Sequence, residues 1–472
     1  MSCHTIIFGT WLLALTSSVG ALALCAQEEP EPPPPPSAPA KPAGYAFPGI
    51  GIGQPEGELQ PDFSPLTGMQ NSTLGLPEIR HSYWVPGLQF SSNLLSNSYG
   101  GSGWSADNYF LGNLSLLEAW NRATLAVNYS GGGYVSSNSQ QGSGYYQQLA
   151  LAQNYQSPRW LIQAIDLFAY LPQSSFGFGG GTNLGVPGVG GSSINVIPGL
   201  GGNYTPTQSV YGVGPYYTNT GGLQATYALS RRGSVTLAGS YGILSFSQPG
   251  NVDSNTTVGS IGYNYALTRN DTIGLVYRFS SYQFPGNPQA YGSNVISVAY
   301  GRKVTGHLGL RLFVGPEITN YRVPLGNTSQ TVGFSASANL TYAYRQGAFG
   351  LNYIHGLSAG SGVLIGSNLD EVSVSASRRL TTEWTANLNF GYSYNDPIGG
   401  PAVSGYPAYH NWYAGGGVGR PIGRNFNFAV AYTANIGSYA TFGCTGTSCN
   451  PSNTYNTITV NFQWHPRPFL LP

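Results

Sequence analysis

The sequence predicts an all-β fold, a transmembrane antiparallel up-and-down β-barrel of about 18 strands behind a Pro-rich N-terminal tail. Three observations carry this expectation. Apolar and polar residues alternate with period two from about residue 85 onward. The connections between alternating segments are short and long in turn. Arginine gathers in or beside the short connections.

Alternation is clearest at Trp384, Ala386, Leu388, Phe390, Tyr392 and Tyr394, set against Thr385, Asn387, Asn389, Gly391 and Ser393. One face is apolar and aromatic, the other small and polar. The same split runs through Val332, Phe334, Ala336, Ala338, Leu340, Tyr342 and Tyr344, and again through Phe426, Phe428, Val430, Tyr432, Ala434 and Ile436. Segments of about 10–14 residues are what a tilted strand needs to cross a bilayer, and Tyr or Trp near their ends suits the membrane interface.

Short connections are expected near 119–122, 157–159, 230–233, 268–271, 302–306, 345–347, 379–383 and 420–425. Long ones are expected near 97–107, 136–143, 171–220, 247–254, 284–292, 320–329, 357–367, 395–409 and 439–453. Short turns on one side and long loops on the other mark a membrane barrel, whereas a solenoid repeats similar connections at a fixed period. Parity then counts the strands. Working back from Thr454–Trp464 gives about 17, and a weaker segment at Val85–Leu95 makes the number 18, with 16 as the alternative. Arg122, Arg159, Arg231, Arg232, Arg269, Arg302, Arg345, Arg378, Arg379, Arg420 and Arg424 fall at the short turns. There they reach water or lipid phosphate, and the spans between them stay free of charge, as hydrocarbon demands.

Composition narrows the function classes. Charged residues are 7% of the 472 and the net charge is +1. No basic stripe exists to neutralise phosphates, so nucleic acid is excluded as a partner. Gly (67) and Tyr (34) are abundant, which suits strands and turns over helices. Residues 1–26 read as a signal peptide, with an apolar stretch at Ile6–Leu15 and Val19–Leu24 and a small residue, Ala26, at the cut. A lipid anchor on Cys25 is the rival reading, opposed by the bulky Leu24 before it. No other segment offers the roughly 18 apolar residues of a membrane helix. An exported chain that enters a membrane must then do so as a closed barrel. Residues 27–82 read as a Pro/Gly-rich periplasmic tail or linker, whose run at 28–48 suits a polyproline II spacer; the functional alternative is a tail that binds the cell wall or fills the barrel. Cys444 and Cys449 flank Thr-Gly-Thr-Ser and make a local disulfide candidate in an oxidising compartment.

The segment 85–464 resembles the bacterial outer-membrane barrel proteins, and general porins in strand number. Tyr455, Ile458, Val460, Phe462 and Trp464 resemble the C-terminal assembly signal of that family, although residues 466–472 follow as a further tail. The resemblance implies a barrel over 83–465 in the outer membrane, with lipid, the barrel-assembly machinery and small solutes as partners. It implies a channel for passive diffusion. The charge-poor composition points to small, mostly uncharged hydrophilic cargo. A structural or adhesive barrel with a plugged lumen is the alternative, and a secreted soluble β-protein is a further one.

Strands with clear faces turn Gly, Ser, Ala, Thr and Asn toward the lumen. Arg278, Arg311 and Glu317 are expected to point inward as a charged constriction, or as a brace of the wall. Asp166 joins them as a candidate of ambiguous face. The long 171–220 loop either enters the lumen or forms an external flap. No nucleophile elbow, HExxH motif or phosphate-cradling loop occurs, so no catalytic residue, metal or cofactor is assigned.

Overall fold

The computed structural model describes residues 82–96, 103–137, 143–171, 215–247, 250–305, 307–322, 328–344, 346–358, 365–398, 408–438, 452–467 and 469–471. Residues 1–26, read above as a signal peptide, the Pro/Gly-rich segment before Ser82, and the disulfide candidate Cys444 and Cys449 lie outside the described residues.

Eighteen strands form the wall. They are β1 (Tyr83–Ser96), β2 (Trp104–Ala119), β3 (Ala123–Ser136), β4 (Ser143–Gln156), β5 (Trp160–Leu171) and β6 (Tyr216–Ala228), then β7 (Gly233–Phe246), β8 (Ser254–Ala266) and β9 (Asp271–Gln283). The second half is β10 (Ala290–Lys303), β11 (Leu308–Arg322), β12 (Thr328–Tyr344), β13 (Gly347–Ser358), β14 (Ser367–Arg379), β15 (Thr385–Pro397), β16 (Tyr409–Ile422), β17 (Phe426–Ser438) and β18 (Ser452–Trp464). Each pairs antiparallel with the next, as β2 does with β3 and β17 with β18. β1 pairs with both β2 and β18, so the sheet closes. Of the two counts weighed, 18 stands, because Tyr83–Ser96 is a full strand that supplies one side of the closure. Strands begin earlier than the apolar alternation suggests. β2 starts at Trp104 and β6 at Tyr216, because ladder hydrogen bonds continue past the apolar zone.

Following partners once around the barrel returns to β1 about 22 residues from the start, a stagger that closes 18 strands at a tilt of about 43° and a backbone radius of about 17 Å. That tilt falls in the range of membrane barrels. Connections alternate as expected: 120–122 is short and 137–142 longer, 157–159 short and 172–215 very long. Both ends of the barrel chain therefore emerge at the short-turn rim.

The short turns share a local device. In five of them a Ser or Thr hydroxyl accepts the amide N–H three residues on: Ser157 from Trp160 (3.1 Å), Ser230 from Gly233 (2.9 Å), and Thr268, Thr305 and Thr381 from Asp271, Leu308 and Trp384 (each 3.0 Å). A hydroxyl in place of a backbone partner holds a tight reversal without a glycine at every corner. Arg420 lies 2.5 Å from Glu383 and over the Trp384 ring at 5.8 Å, so this rim carries paired charge beside an aromatic plane.

Register fixes which face each residue takes, because directly opposed residues share a face. The outward face is apolar. Leu237, Ile261, Leu275, Ile296, Val314 and Leu388 lie in mid-strand and are 50–64% exposed. Aromatic residues ring both ends, with Trp160, Tyr263 and Tyr344 toward the short turns and Trp104, Tyr145 and Trp412 toward the long loops. The inward face carries Gln89, Ser91, Asn93, Thr236, Ser260, Ser297, Asn411 and Thr459, all buried.

The chain does not stop at the last wall strand. A two-residue strand, β19 (Phe469–Leu470), continues alongside β1, with Trp84 opposite Phe469 and Tyr83 opposite Leu470. The Trp84 and Phe469 rings stack at 4.8 Å, and the Leu471 amide donates to the Ser82 carbonyl at 3.0 Å. His465 sits in the break between β18 and β19 and is buried. Its amide donates to the Asn425 carbonyl, and its ring Nε2 lies 3.3 Å from Asn427 Nδ2.

Two tests follow from this arrangement. Ile296→Arg places a charge at mid-depth on the lipid face and should cost about 2–4 kcal/mol in equilibrium folding into vesicles. Burial holds the His465 imidazole below its usual range, the Pro466 carbonyl partly opposing this. The unfolded chain then binds the proton more tightly. Stability is full above the ordinary histidine range and falls as pH drops through the lowered folded value. A pH series of urea unfolding should show that loss in the native chain and a flatter profile in His465→Gln.

Candidate functional site

Among the described residues, polar side chains from many strands converge on the lumen. At the closure, Gln89 opposes Gln463, Ser91 opposes Asn461 and Asn93 opposes Thr459. The Thr459 hydroxyl donates to Asn93 Oδ1 at 2.9 Å, and Asn456 donates its amide to Ser96 Oγ at 2.9 Å. On the outer side of the same seam, Leu94 meets Ile458, Phe90 meets Phe462 and Leu88 meets Trp464. Four of the assembly-signal candidates thus form the apolar side of the closing seam. Tyr455 lies in β18 on the inward register.

Arg278 and Glu317 come together on the inward wall. In register they flank Val295, one strand to either side. The Arg278 guanidinium reaches past β10 and β11 to donate to Ser335 Oγ at 3.1 Å, and Ser335 in turn donates to the His355 carbonyl at 3.3 Å. Glu317 is buried and accepts a hydrogen bond from the Ser293 hydroxyl. Gly356 leaves room for it, since a Cβ there would stand 3.5 Å from Glu317 Oε2 and 3.2 Å from Ser335 Oγ.

Above this pair, toward the long loops, lies an aromatic shelf. Tyr282 donates across to the Leu357 carbonyl at 3.2 Å. Phe284 packs edge-on to Tyr291 at 5.8 Å, and Tyr291 stacks with Tyr321 at 6.3 Å. Ile365 and Ile398, from the loops after β13 and β15, are buried against them. Gly366 makes the approach possible: its φ is +72°, and a Cβ would meet Ile398 Cδ1 at 2.9 Å and Tyr291 Cδ2 at 3.1 Å. Period-two reading could not find this shelf, because Ile365 and Ile398 are loop residues whose direction depends on the tertiary path.

The other sequence candidates go elsewhere. Arg311 points inward but lies six residues along β11 from Glu317, roughly 20 Å away along the strand. It opposes Gly301 and Asn339. Asp166 stands on the outward row of β5 with Ile162, Ala164 and Phe168, since its neighbours Ile165 and Leu167 oppose the inward Ala152 and Ala150. Asn219 Nδ2 donates to its Oδ1 at 2.9 Å. Of the 171–220 region, Tyr216–Thr220 belongs to β6 and 172–214 lies outside the described residues.

Two features went unpredicted. Glu371 is inward, opposed by Ile354 and Ser393, and its place one residue before Val372, which with Val374 lies on the outward row, made it legible. On the outer face near the long-loop rim, Asp370 Oδ1 is 2.7 Å from His355 Nδ1 and accepts from Tyr353 at 3.1 Å, while His355 stacks on Phe334 at 4.2 Å. Among the described residues no cluster of His, Cys, Asp and Glu could hold a metal ion.

A closed antiparallel barrel with an apolar, aromatic-rimmed exterior and a polar interior is a membrane-spanning barrel of the bacterial outer-membrane type. No family model matches the sequence, and no curated protein matches it. Solved structures with a similar fold include the outer membrane protein opdK from Pseudomonas aeruginosa, at 8% identity and a TM-score of 0.42 over 82% of this chain and 99% of that one. Pseudomonas aeruginosa OpdQ is 10% identical, with a TM-score of 0.42 over 83% and 100%. The ferric citrate transporter FecA in its unliganded form is 10% identical, with a TM-score of 0.38 over 82% and 79%. Likeness at this level speaks to no solute.

If the paired charges select ions, Arg278→Ala should shift the reversal potential in a KCl gradient toward cations and Glu317→Gln toward anions. Equal potentials in all three proteins would reduce the pair to a brace.

Proposed function

We propose that the chain is an outer-membrane channel for passive diffusion of small hydrophilic, mostly uncharged solutes. The observation that supports this reading is the sorting of the two faces. Inward rows on β14–β18 and β1 carry Asn, Ser, Thr and Gln, while the outward rows of the same strands carry Leu, Phe, Ile and Trp. A backbone radius of about 17 Å leaves an interior wider than its side chains can fill from the wall alone. Arg278 and Glu317 set opposite charges near each other, so their fields largely cancel along the axis and neither sign of ion is strongly favoured.

The second reading, a barrel with a filled lumen, has one observation in its favour. Inward residues of β2–β8 include Leu111, Ile165, Leu167 and Leu244, apolar and buried where water alone would leave them exposed. Planar-bilayer recording and liposome swelling separate the two. A channel gives discrete conductance steps and lets sugars enter at rates that fall with their size. Silent bilayers together with no swelling would leave the filled barrel standing.

A further inference from the structure

A carboxyl group stands in the middle of the lipid-facing surface. Asp166 lies midway along the outward row of β5, between Trp160 and Tyr170 near its two ends. Hydrocarbon offers it no hydrogen-bond partner, and a carboxyl at this depth is costly unless protein covers it. Asn219 donates to Asp166 Oδ1 at 2.9 Å, but among the described residues nothing donates to Oδ2. Oδ2 instead borders Gly221, where a Cβ would stand 3.8 Å from it. In register Asp166 opposes Gly221, and Gly221 opposes Tyr241. Tyr241 is exposed on the outward row of β7, and among the described residues its hydroxyl has no hydrogen-bond partner. One row across β5, β6 and β7 thus holds an acceptor without a donor, a gap, and a donor without an acceptor.

The floor around that row is glycine. Gly221 on β6, Gly239 on β7 and Gly259 on β8 are all outward and at about the same depth, with Gly239 directly opposite Gly259. Packing among the described residues does not require their smallness. A Cβ at Gly259 would meet no atom within 4 Å, and one at Gly239 only the Val258 carbonyl oxygen at 3.8 Å. Gly131 on β3 is the contrast, since the Tyr129 ring lies over it and a Cβ would collide with the hydroxyl. Exposed Leu223, Leu237 and Ile261 rim the open glycines. The result is a shallow hollow onto which another wall fits closely, as small residues allow between membrane helices.

We propose that a second copy of this chain packs on the outward face of β5–β8, forming a dimer about a two-fold axis that passes near Gly221. Both copies cross the membrane in one orientation, so the axis runs along the membrane normal. Half a turn about it exchanges the two ends of the row. Tyr241 of one copy then faces Asp166 of the partner subunit across the glycine gap, and the reverse holds at the same time. Tyr241 stands about 5 Å higher than Asp166 along the barrel axis, an offset that the length of a tyrosine side chain covers. Each hydroxyl donates to a carboxyl Oδ2, so one contact satisfies both orphan groups in both copies. Lipid tails fill a hollow but supply neither donor nor acceptor. A ring of three or more copies needs two different patches on each, whereas this patch carries both halves of its own complement.

The inference rests on the barrel and not on the channel reading, and its readout is the oligomeric state of the full-length protein, whether or not it conducts. Sedimentation in a density-matched detergent, over a range of protein-to-detergent ratios, should show a monomer–dimer equilibrium. Tyr241→Phe removes only the hydroxyl, and Asp166→Leu replaces the carboxyl by an apolar group. Each should raise the dimer dissociation constant about tenfold or more. Heat-modifiable gel migration confirms that each variant is folded. In membranes, in a Cys444→Ser, Cys449→Ser background, Gly221→Cys should form a disulfide-linked dimer on mild oxidation. Leu388→Cys, on the lipid face of β15, should not. A monomer at every ratio would overturn the proposal and leave lipid as the occupant of the hollow. So would a trimer, equal dissociation constants in the three proteins, or a dimer linked through Leu388→Cys and not through Gly221→Cys.

Discussion

Everything in this molecule depends on one constraint: inside hydrocarbon, each backbone N–H and C=O must find a partner in the protein itself. A sheet meets that demand only by closing, and the seam between β1 and β18 is where it closes. The seam is built to hold on both sides. Outside, Phe90 and Leu88 face Phe462 and Trp464; inside, Asn93 and Thr459 are hydrogen-bonded. β19 then lengthens the contact beyond the last wall strand, with Phe469 stacked on Trp84. The C-terminal extension is thus part of the closure, and an apolar row on β18 serves the finished barrel whatever its part in assembly.

Closure also sets the interior. With strand number and stagger fixed, radius and tilt follow, and the lumen is too wide for wall side chains to fill. What enters it must come from connections or termini. The Gly366 approach shows one way this is done: a loop turns at a left-handed residue, and Ile365 and Ile398, from two separate loops, are buried in one cluster with Tyr282 and Tyr291. The Arg278–Ser335 hydrogen bond runs beneath that shelf, so charge and aromatic surface are neighbours along one stretch of the inward wall.

Charge placement follows the same logic with one departure. Arginine collects at the short-turn rim, and inward charges are few. Asp166 nevertheless faces outward beside Asn219, and Asp370 does so beside His355 and Tyr353. Each is met by hydrogen-bond donors, as a carboxylate bordering lipid requires.

Much of this was legible in the residues alone. Period two follows from strand geometry, so the inward direction of Arg278, Arg311 and Glu317 could be read by counting. Connection lengths and parity gave the strand number, because an up-and-down barrel brings both chain ends to one rim. Counting failed at Asp166, since both faces of β5 are partly apolar and only pairing with β4 tells them apart. It failed at Ile365 and Ile398 as well, where no periodicity exists to read. Sequence by itself determined the barrel, its strand number and the sorting of its faces, all consequences of local geometry and bilayer solvation. Tertiary structure alone decided which charges meet, which loop residues enter the lumen, and that the final residues extend the seam, because these depend on register and on contacts between strands far apart in the chain.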